Sequence, residues 1–122
     1  MDLSVLILQR DPATAQSLAN GLRPHFRSVH VAGSREELLR RLLSNVPDVA
    51  VLDVEASDLA DVEGLHRNFP PLLIVCTHRI PDEEMWMAAL SAGAVDVCPA
   101  DDAVAVLASI LQSVSVARRT AA

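Results

Sequence analysis

Apolar positions fall into two rhythms along this chain. Five short runs are almost continuously apolar or alternate: Leu3–Leu8, Ser28–Ala32, Pro47–Asp53, Leu72–Thr77 and Ala94–Cys98. Runs of this length with little polar interruption predict strands buried on both faces, and Ser28–Ala32 alternates like a short half-covered strand. Between them the spacing becomes helical. Asp11-Pro12 supplies a cap and a first-turn proline, Ala15, Leu18, Ala19 and Leu22 recur on one face, and Pro24 stops the helix. Ser34-Arg35-Glu36-Glu37 fits a capping box ahead of Leu38, Leu39, Leu42 and Leu43. A loop of small and acidic residues, Glu55 to Asp61, leads into a weak, short helix that Pro70-Pro71 ends. Pro81-Asp82-Glu83-Glu84 opens a helix with acids in its first turn, favourable to the helix dipole, and Gly93 closes it. Asp102 to Ala117 reads as the last helix, with Arg118 and Arg119 near its end. Five strands alternating with five helices predict an α/β layer fold with a parallel sheet and right-handed crossovers. Periodicity alone leaves the strand order open.

The chain has 122 residues, the size of one domain with one core, and shows no internal repeat, low-complexity tract or linker. It is 51% hydrophobic but only 2% aromatic, so Val, Leu, Ile and Ala must fill the interior. A net charge of -6 argues against nucleic-acid binding by this domain. No apolar run approaches the roughly 20 residues that span a bilayer, and no basic-then-apolar leader opens the chain, so a cytoplasmic protein without membrane contact is expected. Cys76 and Cys98 lack metal or redox spacing and read as buried free thiols of a reducing compartment.

The candidate chemistry centres on Asp53, at the carboxyl end of the third strand, where open α/β sheets form their ligand crevices. An acid there can ligate a metal, act as a nucleophile or cap a loop. Ser57 and Thr77 lack nucleophile-elbow glycines and a legible base, and no Gly-rich phosphate loop follows the first or third strand. His25, His30 and His66 are scattered. His78 borders the Asp53 crevice with no partner carboxylate apparent, and Asp58 and Asp61 read as solvated. Hydrolase and nucleotide-binding readings therefore have little support, and no enzyme activity is expected.

Several signatures in a fixed order resemble the receiver domain of bacterial two-component response regulators. They are Val5-Leu6-Ile7-Leu8 with Asp11-Pro12, Pro47 to Asp53, Thr77 at the end of the fourth strand, and Ala89-Leu90-Ser91-Ala92-Gly93-Ala94-Val95-Asp96. The resemblance covers essentially the whole chain. It implies a flavodoxin-like doubly wound (βα)5 fold with a five-stranded parallel sheet of order 2-1-3-4-5. It also implies a single domain over 1–122, expected to form the amino-terminal part of a longer regulator, with Asp53 as phospho-acceptor. Similar atypical receivers precede transcription-regulating domains and the ATPase of some pilus-assembly systems.

The departures from the family pattern reshape that expectation. Receivers place two acids after the first strand to hold magnesium, and those positions are Gln9 and Arg10 here. Gln9 offers one neutral carbonyl, Arg10 is a permanent cation, and Asp11 is better used as a cap. The family's lysine aligns with Ala100, and its aromatic switch residue aligns with Val97. The expected crevice is thus Gln9, Arg10, Asp11, Thr77, His78 and Ala100 around Asp53. Arg10 is expected to pair with Asp53 in place of a metal, and no cofactor is expected. The resemblance places a dimer or protein-partner surface on the fourth helix, fifth strand and fifth helix, with Trp86, Met87, Leu90 and Val97 as candidates. Met85, Ala89 and Ala92 share the face expected to be buried. A degenerate receiver (pseudo-receiver) acting as a signalling and interaction module, without magnesium-dependent aspartyl phosphorylation, is the leading expectation. Two alternatives stand beside it: a phosphorelay receiver phosphorylated on Asp53, and a small-molecule sensor using the crevice.

Overall fold

The computed structural model describes residues 2–55 and 58–121, with the side chains of 117–121 set aside. Ser57 and the side chains of Arg118 and Arg119 therefore lie outside the described residues. Strands β1 (Ser4–Leu8), β2 (Ser28–Ala32), β3 (Val49–Asp53), β4 (Leu73–His78) and β5 (Asp96–Pro99) alternate with helices α1 (Pro12–Leu22), α2 (Arg35–Ser44), α3 (Leu59–Asn68), α4 (Glu83–Ala92) and α5 (Ala103–Ala121). A 3-10 turn, Arg23–His25, follows α1. All strand pairs are parallel, in the order β2-β1-β3-β4-β5. This is the flavodoxin-like arrangement that the resemblance implies.

Successive strand residues point to opposite faces, and the two cores follow from that period. Leu6, Leu8, Ala50, Leu52, Ile74 and Cys76 face the layer of α2, α3 and α4, where Leu38, Leu42, Val62, Leu65, Ala89 and Ala92 meet them. Val5, Ile7, Val49, Val51, Val75 and Cys98 face α1 and α5, against Leu18, Leu22, Val106 and Ile110. The cysteines are buried and unpaired on opposite sides of the sheet. Burial pushes the Cys76 thiol up to about 12 and raises that of Cys98, so neither is a ready nucleophile.

Local chemistry sets the helix ends. Asp11 caps α1, accepting from Thr14 N at 3.2 Å and Thr14 Oγ1 at 2.6 Å. Ser34 caps α2 by accepting from Glu37 N at 3.1 Å, but the Glu37 carboxylate takes Gly33 N at 2.6 Å, one residue before the position a full capping box would use. The reciprocal box occurs at α3 instead, between Asp58 and Asp61. Asp61 also pairs with Arg35 of α2, so these two acids are structural rather than merely solvated. Gly93 ends α4 at φ 118, in the left-handed region, and a Cβ there would lie 2.4 Å from His66 Cγ. The fifth strand starts later than the apolar run predicts. Ala94 N returns to Ala89 O and Val95 N bonds Ile74 O, so both residues complete the turn out of α4.

Candidate functional site

Asp53 ends β3 at 3% exposure, and Thr77 of β4 is its register partner. The parallel sheet therefore sets the acid and the hydroxyl side by side at the carboxyl edge. Both Asp53 oxygens are engaged by backbone: Oδ2 accepts from Arg10 N at 3.2 Å and Oδ1 from Glu55 N at 3.0 Å. The expected Arg10–Asp53 ion pair is not formed. The Arg10 guanidinium turns away and donates from Nη2 to Glu55 Oε2 at 2.7 Å. Glu55 keeps 13% of its side chain exposed, so gathering charge there demands less desolvation than at Asp53.

Glu55 is the hub of this site, and the sequence reading assigns it only to a loop. Arg79 Nε donates to both its oxygens at 3.1 Å, and His78 Nε2 lies 3.5 Å from Oε1. His78 is thus not without a carboxylate partner. Its Nδ1 accepts from Ile80 N at 3.0 Å, which puts the proton of the neutral ring on Nε2, facing Glu55. The pair follows from strand register once the sheet is known. Asp53 and Thr77 share a register position, and Glu55 and Arg79 each stand two residues beyond them. Equal offsets from paired strand ends bring a carboxylate and a guanidinium together.

The hydrogen bonds from Arg79, reinforced by the Arg79 and Arg10 charges, hold the Glu55 carboxyl below its ordinary value. A depressed folded value stabilises the protein above the ordinary carboxyl range, and that contribution disappears as pH falls through the folded value. Unfolding midpoints followed from about pH 6 to about pH 3 should therefore drop less steeply in Glu55→Gln than in the wild type. Equal slopes would show that the cluster carries no linkage.

The remaining crevice residues are partly satisfied. Gln9 Oε1 accepts from Asp11 N at 3.3 Å, and Ala100 is buried with its N–H on His78 O. Two buried donors, Gln9 Nε2 and Thr77 Oγ1, have no hydrogen-bond partner among the described residues.

No family model matches the chain, and no curated protein matches it. Solved structures do match it closely in shape. A response regulator from Thermotoga maritima superposes with a TM-score of 0.84 at 19% identity, covering 94% of this chain and 99% of that one. The signal receiver domain of a DNA-binding response regulator from Colwellia psychrerythraea gives 0.82 at 17%, covering 93% and 99%. The isolated receiver domain of RcsB from Salmonella enterica, solved with phosphomimetic beryllium fluoride, gives 0.78 at 16%, covering 92% and 90%. The fold is that of a receiver domain.

Magnesium, which the receiver pattern implies, does not fit these residues. Of the oxygens near Asp53, its own two accept backbone N–H groups, that of Gln9 is bonded to Asp11 N, and Oδ2 of Asp11 caps α1. The Glu55 carboxylate is held by two guanidinium groups. A hard dication needs several oxygens converging on one point. Among the described residues no group of three or more His, Cys, Asp or Glu side chains is placed to hold a metal ion. The receiver lysine has no counterpart at another position, because the chain contains no lysine.

On the receiver surface, Trp86 is 44% and Met87 57% exposed, and Leu90 is half-buried. Trp86 Nε1 donates to Asp96 Oδ1 at 3.2 Å, tying α4 to β5. Val97 is not a surface residue. It is 8% exposed and packs into the core beneath α4, which removes it from the candidate interface. Met85 is half-buried rather than fully covered, while Ala89 and Ala92 are buried as expected. Among the described residues no helix is long and apolar enough to cross a membrane.

Proposed function

We propose that this receiver-fold chain is a signalling and protein-interaction module that works without a magnesium-dependent aspartyl phosphate. The supporting observation is the Glu55 cluster. Arg10, His78 and Arg79, drawn from the ends of β1 and β4, converge on one carboxylate beside Asp53. Phosphoryl transfer relies on positioning and charge neutralisation, much of it supplied by the ion and the lysine in receivers. Here the cations present are committed to Glu55, and the cluster holds the crevice in one arrangement. The exposed Trp86 and Met87 make the α4–β5–α5 side the surface for a protein partner or a second copy. Two buried thiols suit a reducing, cytoplasmic setting. In this reading the chain serves as the amino-terminal regulatory domain of a longer protein; the region it matches in NtrX from Brucella abortus is 29% of that chain. Incubation with magnesium and acetyl phosphate, followed by intact mass measurement, should leave the mass unchanged.

One observation favours a second reading, phosphorylation on Asp53. Thr77 Oγ1 and Gln9 Nε2 are buried donors without partners close to the acid's strand end, and phosphoryl oxygens would satisfy them. In that case the mass would rise by one phosphoryl group in the wild type and not in Asp53→Asn.

A further inference from the structure

The chain's charge is sorted by position in the fold. From Arg23 to Arg41 there are five arginines against two glutamates, together with His25 and His30. From Ile80 to Ala117 there are six acids and no basic residue. The first stretch forms the β2 edge of the sheet with α2, and the second forms the β5 edge with α4 and most of α5, which continues through Arg118 and Arg119. A protein of net charge -6 thus has a basic edge and an acidic edge on opposite sides of one sheet.

The helices that end this layer share a surface format. On α2, Arg40 stands three residues before Leu43, which is 81% exposed. On α4, Glu83 and Glu84 stand three residues before Trp86 and Met87, which are 44% and 57% exposed. Residues three apart are neighbours on a helix surface. On α4 the apolar patch lies beside two acids, and on α2 Leu43 lies beside Arg40, with Glu36 one turn further back on the same stripe. Among the described residues, the side chains of Arg40, Glu83 and Glu84 make no hydrogen bond or ion pair, although the Arg40 charge acts on nearby Glu37; Arg41 already holds Glu37 and Arg35 holds Asp61.

From this geometry we infer that a second copy of the chain is the partner, docked head to tail, with α4 of one copy against α2 of the next. The inference rests on the reading of the α4–β5–α5 side as the interaction surface. Arg40 of one copy then meets Glu83 and Glu84 of the other, and Leu43 packs on Trp86 and Met87. The layer α2–α3–α4 continues from one molecule into the next. Such a contact is heterologous, so a docked pair still leaves one basic and one acidic edge open, and assembly grows with concentration.

Sedimentation velocity across a concentration series is the test, with circular dichroism confirming that every variant is folded. Wild type should self-associate at about 0.01 M salt and revert toward monomer at about 1 M, as the screening length falls from about 30 Å to about 3 Å. Arg40→Glu alone and Glu83→Arg/Glu84→Arg alone should each weaken association by roughly ten-fold or more, and an equimolar mixture of the two should form a complex. A monomeric wild type at low salt and high concentration would overturn the head-to-tail contact. Association lost in Trp86→Ala but indifferent to Arg40→Glu would also overturn it while leaving the α4–β5–α5 surface in place. Association lost in Arg40→Glu but indifferent to both Trp86→Ala and the α4 charge reversal would overturn the surface reading as well.

Discussion

A variant carrying Gln9→Asp and Arg10→Asp should be less stable than the wild type in the absence of metal and should regain stability as magnesium is added, whereas the wild type should not respond. The substitutions place two carboxylates next to Asp53, and one of them removes the guanidinium that Glu55 now holds at 2.7 Å. Like charges about 4 Å apart repel by about 4 kcal/mol at an effective dielectric near 20, so the rebuilt crevice is strained until a cation enters. A ligand that binds only the folded state at a hundred times its dissociation constant adds about 2.7 kcal/mol. Thermal unfolding with magnesium titrated to tens of times its apparent affinity, and with calcium and sodium chloride as controls, reads this directly. A variant that ignores magnesium would mean that the crevice lacks more than its acid pair, with Arg79 and the missing lysine the next obstacles. A wild type that responds as strongly would remove the basis for the proposed function.

Ile74→Ala should destabilise the fold by about 2–5 kcal/mol, the range for deleting a fully buried aliphatic side chain. Ile74 is 0% exposed in β4, and packs among Ala50, Leu52 and the helices α3 and α4. Its carbonyl also receives Val95 N at 2.8 Å, so the residue sits where the turn out of α4 is fastened to the sheet. Domains of this size are stable by about 5–15 kcal/mol, and the loss would be a large share of that. Leu43→Ala is the matched control. At 81% exposure its effect on monomer stability should stay within about 0.5 kcal/mol. Urea unfolding of both, with the slope checked for constancy, separates the core effect from a change in the unfolded chain. A loss in Ile74→Ala smaller than in Leu43→Ala would show that the assigned core is wrong.

The strands were legible because their signal is local. Val49 to Leu52 is apolar throughout, and every residue of β3 is buried, Asp53 included. Helix starts were equally plain at Asp11 and Ser34, where one side chain satisfies a backbone N–H three residues on. β5 starts later than its apolar run suggests because Ala94 and Val95 are apolar yet belong to a turn, and Val95 is exposed. Strand order came from resemblance, since adjacency in a sheet leaves no trace in periodicity.

The site was harder to read for a physical reason. The sequence brings Arg10 to the crevice but does not choose its acid, because two carboxylates within reach differ in burial and only the fold ranks them. Glu55 collects Arg10 from 45 positions away and Arg79 from 24, a convergence that no window of sequence displays.

The placement of the two thiols on opposite sides of the sheet gives the molecule a pair of built-in clocks. A thiol-specific reagent can reach Cys76 only when the three-helix layer lifts, and Cys98, which touches Ser109 of α5 at 3.4 Å, only when the two-helix layer does. Labelling rates at the two sulfurs would therefore report separately on how often each half of the sandwich comes off its sheet, with no foreign probe introduced.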